Sequence, residues 1–139
     1  FSNCNFSNTT FDNCSFIRCE FNNCKLTGCN FIENVLFDIG FTDSNMGYAN
    51  ISMSNLRGIF FNNTSIRSGS LQENKVKNIN FKEADLTGTQ FFKTSLNGID
   101  LSNSNIDQIA VSLEDIKGAK INQMQAIDLM YLLGVKVVE

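Results

Sequence analysis

The chain has 139 residues, enough for one domain with its own core. It carries 14 acids against 11 bases, a formal net charge of −3, which argues against a nucleic-acid binder. Histidine, tryptophan and proline are absent, so the commonest general base and metal ligand is missing.

No stretch approaches the ~18 consecutive apolar residues of a membrane span. No signal peptide is visible. The chain begins on Phe1 without a methionine, in phase with the repeat described next, so residues missing at the front are expected. Five cysteines is an odd count, whereas a secreted disulfide framework is usually even. A reduced, cytoplasmic setting is expected.

From Phe1 onward a large apolar residue falls in every fifth place. The 25 positions from Phe1 to Ile121 hold ten Phe, seven Leu, five Ile, two Val and Met46, and none is polar. A period of five fits neither the helix period of ~3.6 nor the strand period of ~2. It fits a coil in which each five-residue unit forms one side, points its apolar residue at the axis and then turns a corner. Two residues before each large residue the side chains are mostly small, as at Cys4, Thr9, Cys14, Ser44, Ala49 and Thr64. A second inward place beside a large one requires this. Two residues after it, 12 of the 24 places from 3 to 118 are Asn or Gly, the types that tolerate positive φ at a corner.

The number of sides can also be read. The small place is occupied by isoleucine at Ile39, Ile59, Ile79 and Ile99, each 20 apart, beside Phe41, Phe61 and Phe81 at the same interval. Four units per turn explain this sorting, because residues 20 apart then stack. About six coils fit between Phe1 and Ile121, roughly 29 Å of shaft at ~4.8 Å per coil.

This pattern resembles the pentapeptide-repeat proteins, and the resemblance covers residues 1 to about 121. It implies an all-β solenoid, a right-handed quadrilateral β-helix.

Residues 122–139 leave the register and read NQMQAIDLMYLLGVKVVE. A short helix is expected over 123–133, with Asn122 as N-cap and Gly134 as C′ residue. Apolar residues fall most of the way round it, so burial on more than one side is expected. Val135, Val137 and Val138 should form an extended tail. A cap on the last coil is the simple reading, and a two-fold joint is the fuller one.

The stretch GAKINQMQAIDLMYLLGVKVV resembles the C-terminal segment of the Qnr/MfpA-like quinolone-resistance subfamily. That resemblance implies a homodimer joined through Met124, Ile127, Leu129, Met130, Tyr131, Leu133, Val135 and Val137. It also implies a DNA-mimicking protein that binds DNA gyrase and topoisomerase IV and protects them from fluoroquinolones. No loop interrupts residues 1–121, so the chain looks more like the loop-free versions of Gram-positive bacteria.

Duplex DNA carries one charge per ~1.7 Å, or roughly 17 over a 29 Å shaft, so mimicry by this chain must be local. Residues 19–23, 39–43, 59–63, 79–83 and 99–103 share one side. That side has Glu20, Asp43, Glu83 and Asp100 against Lys82. The side holding 14–18, 34–38, 54–58, 74–78, 94–98 and 114–118 has Arg18, Arg57, Lys75, Lys77 and Lys117 against Asp38, Glu114 and Asp115. The acidic side is the candidate partner-binding surface, and charges that merely solubilise the rod are the bland reading.

The cysteines all take the small inward place and are expected as free core thiols, since Cys4 and Cys24, one coil apart, should have parallel side chains. Their spacing, without histidine, does not suit zinc, and no cofactor is expected. Ile17, Val35 and Phe37 project outward together, with Ile32 on the neighbouring side, as an apolar patch to be covered by missing N-terminal residues or bound by a partner. No nucleophile–base pair or phosphate loop stands out, so an enzyme is not expected. A pentapeptide-repeat scaffold or immunity factor with another protein partner is the alternative function.

Overall fold

A computed structural model describes residues 1–139. The five-residue period becomes a four-sided, right-handed β-helix. Each side is named here by one of its central residues, Phe41, Met46, Ile51 or Leu56. Backbone pairing is parallel and offset by 20 residues from Ser2 with Asn22 to Asp100 with Lys120, except that residues 75–82 pair with no strand in the coil above them.

The most regular strands are β1 (Ser15–Asn22), β3 (Val35–Thr42), β5 (Asn55–Asn62) and β6 (Lys75–Lys82). They stack in that order as one sheet, with Phe21 paired to Phe41, Phe41 to Phe61 and Phe61 to Phe81. Each bends round the corner between the Leu56 and Phe41 sides, at Arg18, Asp38, Gly58 and Asn78. These four residues have φ of 53, 56, 67 and 63°. On the Ile51 side, β2 (Asn30–Ile32) pairs with β4 (Asn50–Ser52).

Corners are where the backbone is most constrained. The third place of every unit from Asn3 to Gly118 has positive φ, except Asn103 and Leu113. Glycine is needed where space also fails. At Gly58 an added Cβ would sit 2.6 Å from Asp38 Oδ1 in the coil below.

Inside, the large residues stack in columns. The Phe21, Phe41, Phe61 and Phe81 rings are 5.1–5.2 Å apart and within 13° of parallel from coil to coil. Neighbouring sides meet edge to face, as Phe31 does on Phe41 at 6.3 Å and 79°. Both geometries are favourable for aromatic rings.

The small inward place has a second role that its size alone does not reveal. Its hydroxyl and amide groups join one coil to the next. The Cys14 amide donates to Asn34 Oδ1 (2.9 Å) and the Asn34 amide to Ser54 Oγ (3.0 Å). Above them the Ser54 amide donates to Asn74 Oδ1 (3.0 Å) and the Asn74 amide to Thr94 Oγ1 (3.2 Å). Several of these groups also donate to a carbonyl of the coil below, as Thr64 Oγ1 does to Phe41 O at 3.0 Å. A buried amide left without an acceptor is costly, and this ladder supplies one from each next coil.

Three expectations need correction. The five cysteines are free, but only Cys24 and Cys29 are buried; Cys4, Cys14 and Cys19 are half-buried, because the first coil has no neighbour beneath it in this chain. Burial pushes the Cys29 thiol up, against a backbone hydrogen bond at Thr9 that lowers it.

The repeat geometry is also interrupted near its end. Ser112 caps a helical turn, α1 (Leu113–Ile116), through a bond from the Asp115 amide to Ser112 Oγ. The Lys93 amide consequently bonds to Asp115 Oδ2 at 2.8 Å. The residue count is undisturbed, since Leu96 still donates to the Asp115 carbonyl at 2.8 Å.

The C-terminal helix α2 (Gln123–Met130) continues as a 3-10 turn over Tyr131–Leu133 and stops at Gly134, φ 73°. Of its residues only Gln125 is buried, while Ala126 and Leu129 are half-buried. The expectation of burial on more than one side is therefore not met within one chain. One face packs on the last coil and the rest of the apolar girdle faces outward. Val135, Val137 and Val138 pair with no strand and are exposed.

Candidate partner-binding surface

The four acids chosen from sequence all lie exposed on the Phe41 side, in two columns. Glu20 pairs with Gly40, and the same column continues through Phe60 to Asn80, with Asp100 a further 20 residues along the chain. Asp43 and Glu83 lie on the corner beside it with Asn63 between them. Asn63 Nδ2 donates to Asp43 Oδ1 at 2.8 Å. At ~4.8 Å per coil, Glu20 and Asp100 are roughly 19 Å apart, and Asp43 and Glu83 roughly 10 Å. The acids are thus spread along one side rather than gathered.

None of the four has a cation within ion-pair distance. Asp100 accepts from Ser102 Oγ (2.6 Å) and the Ser102 amide (2.9 Å). Those bonds, with Lys120 one coil above, hold its carboxyl below the ordinary value.

Two charged residues near this side were missed from sequence. Lys120 pairs in register with Asp100 and adds a second cation beside Lys82. It lies in the next coil, beyond the last five-residue group sorted to that side. Asp85 belongs to the Met46 side but turns toward the corner. With Asp43, Glu83, Asn63 and Lys25 it lines a shallow groove of about 490 Å³. Burial alone would raise the Asp85 carboxyl. Hydrogen bonds from the Thr87 hydroxyl and amide, and the Arg67 guanidinium at 3.1 Å, hold it below the ordinary value instead. Asp-x-Thr two residues apart was the available signal.

The second surface is the rod end. Gln125, absent from the sequence expectations, fixes α2 to the last coil. Its Nε2 donates to the Leu101 and Ser104 carbonyls, both at 2.7 Å, and its Oε1 accepts from the Asn122 amide at 2.9 Å. Asn122 Oδ1 accepts from the Gln125 amide at 2.9 Å, which completes a capping box. The Asn-x-x-Gln spacing carried that signal.

Of the residues expected at a joint, Met124, Ile127, Met130, Tyr131, Leu133, Val135 and Val137 are all exposed, Met124 by 75% and Tyr131 by 62%. Leu129 differs: it is half-buried against the core and belongs to the cap itself. Two recesses open here. One of about 560 Å³ lies between Ile106, Ile109, Asp128 and Tyr131. The other, about 210 Å³ and wholly apolar, lies between Val111, Ile116, Met130 and Leu133.

A four-sided shaft with charge sorted by side and one apolar end defines a β-solenoid. The chain belongs to the pentapeptide-repeat family. The model of the pentapeptide repeat region matches residues 1–71, and that of pentapeptide repeats (8 copies) matches residues 75–108. No curated protein matches the sequence. Among solved structures, a trypsin-treated form of QnrB1, a plasmid-mediated fluoroquinolone resistance protein, is similar. It aligns at 17% identity over 98% of this chain and 96% of its own, with a TM-score of 0.59. Full-length QnrB1 aligns at 21% identity over 97% of this chain and 87% of its own, TM-score 0.43. A pentapeptide repeat protein from the Arabidopsis thaliana thylakoid lumen aligns at 16% identity over 94% and 73%, TM-score 0.41. No helix is long and apolar enough to cross a membrane.

Proposed function

We propose that this chain is a DNA-mimicking protein that binds DNA gyrase and topoisomerase IV in the cytoplasm and protects them from fluoroquinolones. The observation that carries the reading is the set of acids without a cation partner, Glu20 and Asp100 on the Phe41 side and Asp43 and Glu83 on its corner. A cleft that attracts phosphates would attract such a side and be occupied without strand cleavage. The protein acts by binding and is not an enzyme.

The rod end supports an assembly of two copies. Met124, Ile127, Tyr131 and Leu133 expose apolar surface around one helix, and a two-fold joint there would cover it. Two shafts end to end would double the length of the acidic side. The likeness in fold to QnrB1 and the C-terminal segment GAKINQMQAIDLMYLLGVKVV favour the same reading.

The alternative is a scaffold or immunity factor with a different protein partner. Sparse charge favours it. Lys82 and Lys120 interrupt the acidic side, whereas each DNA strand presents a phosphate every ~3.4 Å of axis. Gyrase supercoiling with ciprofloxacin, with and without this protein, separates the two. Restored supercoiling supports protection. No restoration, together with no association with gyrase, leaves the scaffold.

A further inference from the structure

Arg57 and Lys77 stand in one column on the Leu56 side, Arg57 in register above Phe37 and Lys77 above Arg57. Phe37 in turn pairs with Ile17, which is 54% exposed. Lys75 precedes Lys77 by two residues on β6, so the two point the same way. Arg57, Lys75 and Lys77 are all exposed, and none has an acid within ion-pair distance. By contrast Arg67, Lys93 and Lys117 each do.

Two of the three acids of that side are engaged elsewhere, and the third is not within ion-pair distance of these cations. Asp38 lies at the corner, with its Oδ1 over the Gly58 backbone. Glu114 is bonded to Lys117 at 3.2 Å. Asp115 accepts from Ser112 Oγ (2.7 Å) and the Lys93 amide (2.8 Å). Three like charges therefore stand together on one sheet with no ion-pair partner. Between their stems a depression of about 220 Å³ reaches down to Phe37 and Val76. The surface grades from apolar at Ile17, Val35 and Phe37 to cationic at Arg57, Lys75 and Lys77.

We propose that this side docks a short acidic protein segment in extended form. Alternate residues of an extended segment repeat about every 6.8 Å, the interval between Lys75 and Lys77 on their own strand. Two carboxylates spaced acid-x-acid meet both lysines, with Arg57 one coil below. After a glycine the segment turns down the column, and a large apolar residue rests on Phe37, two coils below Lys77. The patch suits a segment of a few residues better than a nucleic acid. A long polyanion would run past Asp38 onto the adjoining side, where Glu20, Asp43 and Glu83 repel it. This surface is separate from the acidic side and does not depend on the topoisomerase reading.

The probe is a fluorescein-labelled peptide of three Glu-Ser repeats followed by Gly-Phe, followed by fluorescence anisotropy at low and high salt. A Lys-Ser version, a labelled twelve-nucleotide thymidine strand and phosphatidylserine vesicles serve as comparisons. The acidic peptide should bind saturably, weaken with salt and outcompete the other three. Lys75→Glu with Lys77→Glu should weaken it about tenfold or more, consistent with two partly exposed charge pairs. Phe37→Ser should weaken it several-fold, and Lys82→Glu on the Phe41 side should not. Unchanged circular dichroism and melting temperature confirm that each variant folds. No saturable peptide binding, or equal loss with Lys82→Glu, overturns the proposal. So does tighter binding of the thymidine strand or the vesicles through the same lysines.

Discussion

The rings of Phe41 and Phe61 lie 5.2 Å apart, centroid to centroid, and 9° from parallel, with neither exposed to solvent. Each ring is clamped between identical rings above and below, so the shaft has no room to collapse if one is removed. Phe41→Ala should cost about 3–5 kcal/mol, the range for truncating a buried aromatic residue. Equilibrium urea unfolding measures it. A loss under about 1 kcal/mol would mean that the column repacks and that stacking is incidental.

This column was legible because its cause is periodic. One inward residue per five, and one isoleucine or phenylalanine per 20, can be counted without knowing any bond. The positive φ of corner residues followed from Asn and Gly at half of them, although Arg18, Tyr48 and Met53 adopt it as well. There the coil imposes the angle on residues that would not choose it. What could not be read was anything that depends on a side chain finding one particular atom. Gln125 and Asp85 act through hydrogen bonds to particular atoms, and α1 interrupts the backbone without changing the residue count. The apolar girdle of α2 is not covered within one chain, because hydrophobicity states that a surface wants cover, not which molecule supplies it.

Ser54 tests whether the small inward place is chosen for more than size. Its Oγ accepts from the Asn34 amide at 3.0 Å and has the Phe31 and Ser52 carbonyls as alternative acceptors for its one proton, at 3.2 and 2.9 Å. Ser54→Ala preserves volume almost entirely but orphans a buried amide. The expected cost is about 1–3 kcal/mol. Faster hydrogen exchange at Asn34 than at the neighbouring Leu36 should accompany it. An unchanged stability would reduce the ladder to a by-product of small side chains.

Gln125 should be the most sensitive residue of the cap. Gln125→Leu removes one donor group from two carbonyls and one acceptor from the Asn122 amide. A cost of about 1–3 kcal/mol is expected. Gln125→Glu should be worse at neutral pH, because a carboxylate would face the Leu101 and Ser104 carbonyls. The introduced carboxyl has a raised folded-state pKa, so its penalty is present at high pH. The penalty is relieved as pH falls through that pKa, when the protonated group can donate again. Denaturation at pH 7 and at pH 4.5 should therefore show the variant approaching the native chain as acid is added. A constant difference would place the helix attachment elsewhere.

Assembly should depend on exposed residues of the rod end and not on the half-buried one. Ile127→Arg and Tyr131→Arg would place a charge in an apolar joint and should convert a dimer to monomers with little change in monomer stability. Leu129→Arg should instead lower the melting temperature, because Leu129 packs against the core of its own chain. Multi-angle light scattering and thermal unfolding give the two readouts. A native chain already monomeric at micromolar concentration would refute the joint.

The acidic side makes the sharpest functional prediction. Glu83 forms no hydrogen bond and points outward, so Glu83→Lys reverses a charge without disturbing a coil. Asp100 carries the Ser102 bonds, so Asp100→Asn is the cleaner change: it removes the charge and keeps an acceptor. Together they should weaken gyrase association strongly, whereas reversing Lys75 and Lys77 on the Leu56 side should not. Attraction between solvent-facing charges is screened, so native binding should also fall as salt rises. The pH dependence has a defined sign. The Ser102 bonds and Lys120 keep Asp100 ionised below the ordinary carboxylate range, so its share of the attraction persists on mild acidification and fades only as pH falls below that range. Surface plasmon resonance against immobilised gyrase, at two salt concentrations and along a pH series, reads all of these. Equal loss from the acidic and basic sides would eliminate one-sided mimicry, since a phosphate-binding cleft has reason to distinguish Glu83 from Lys77.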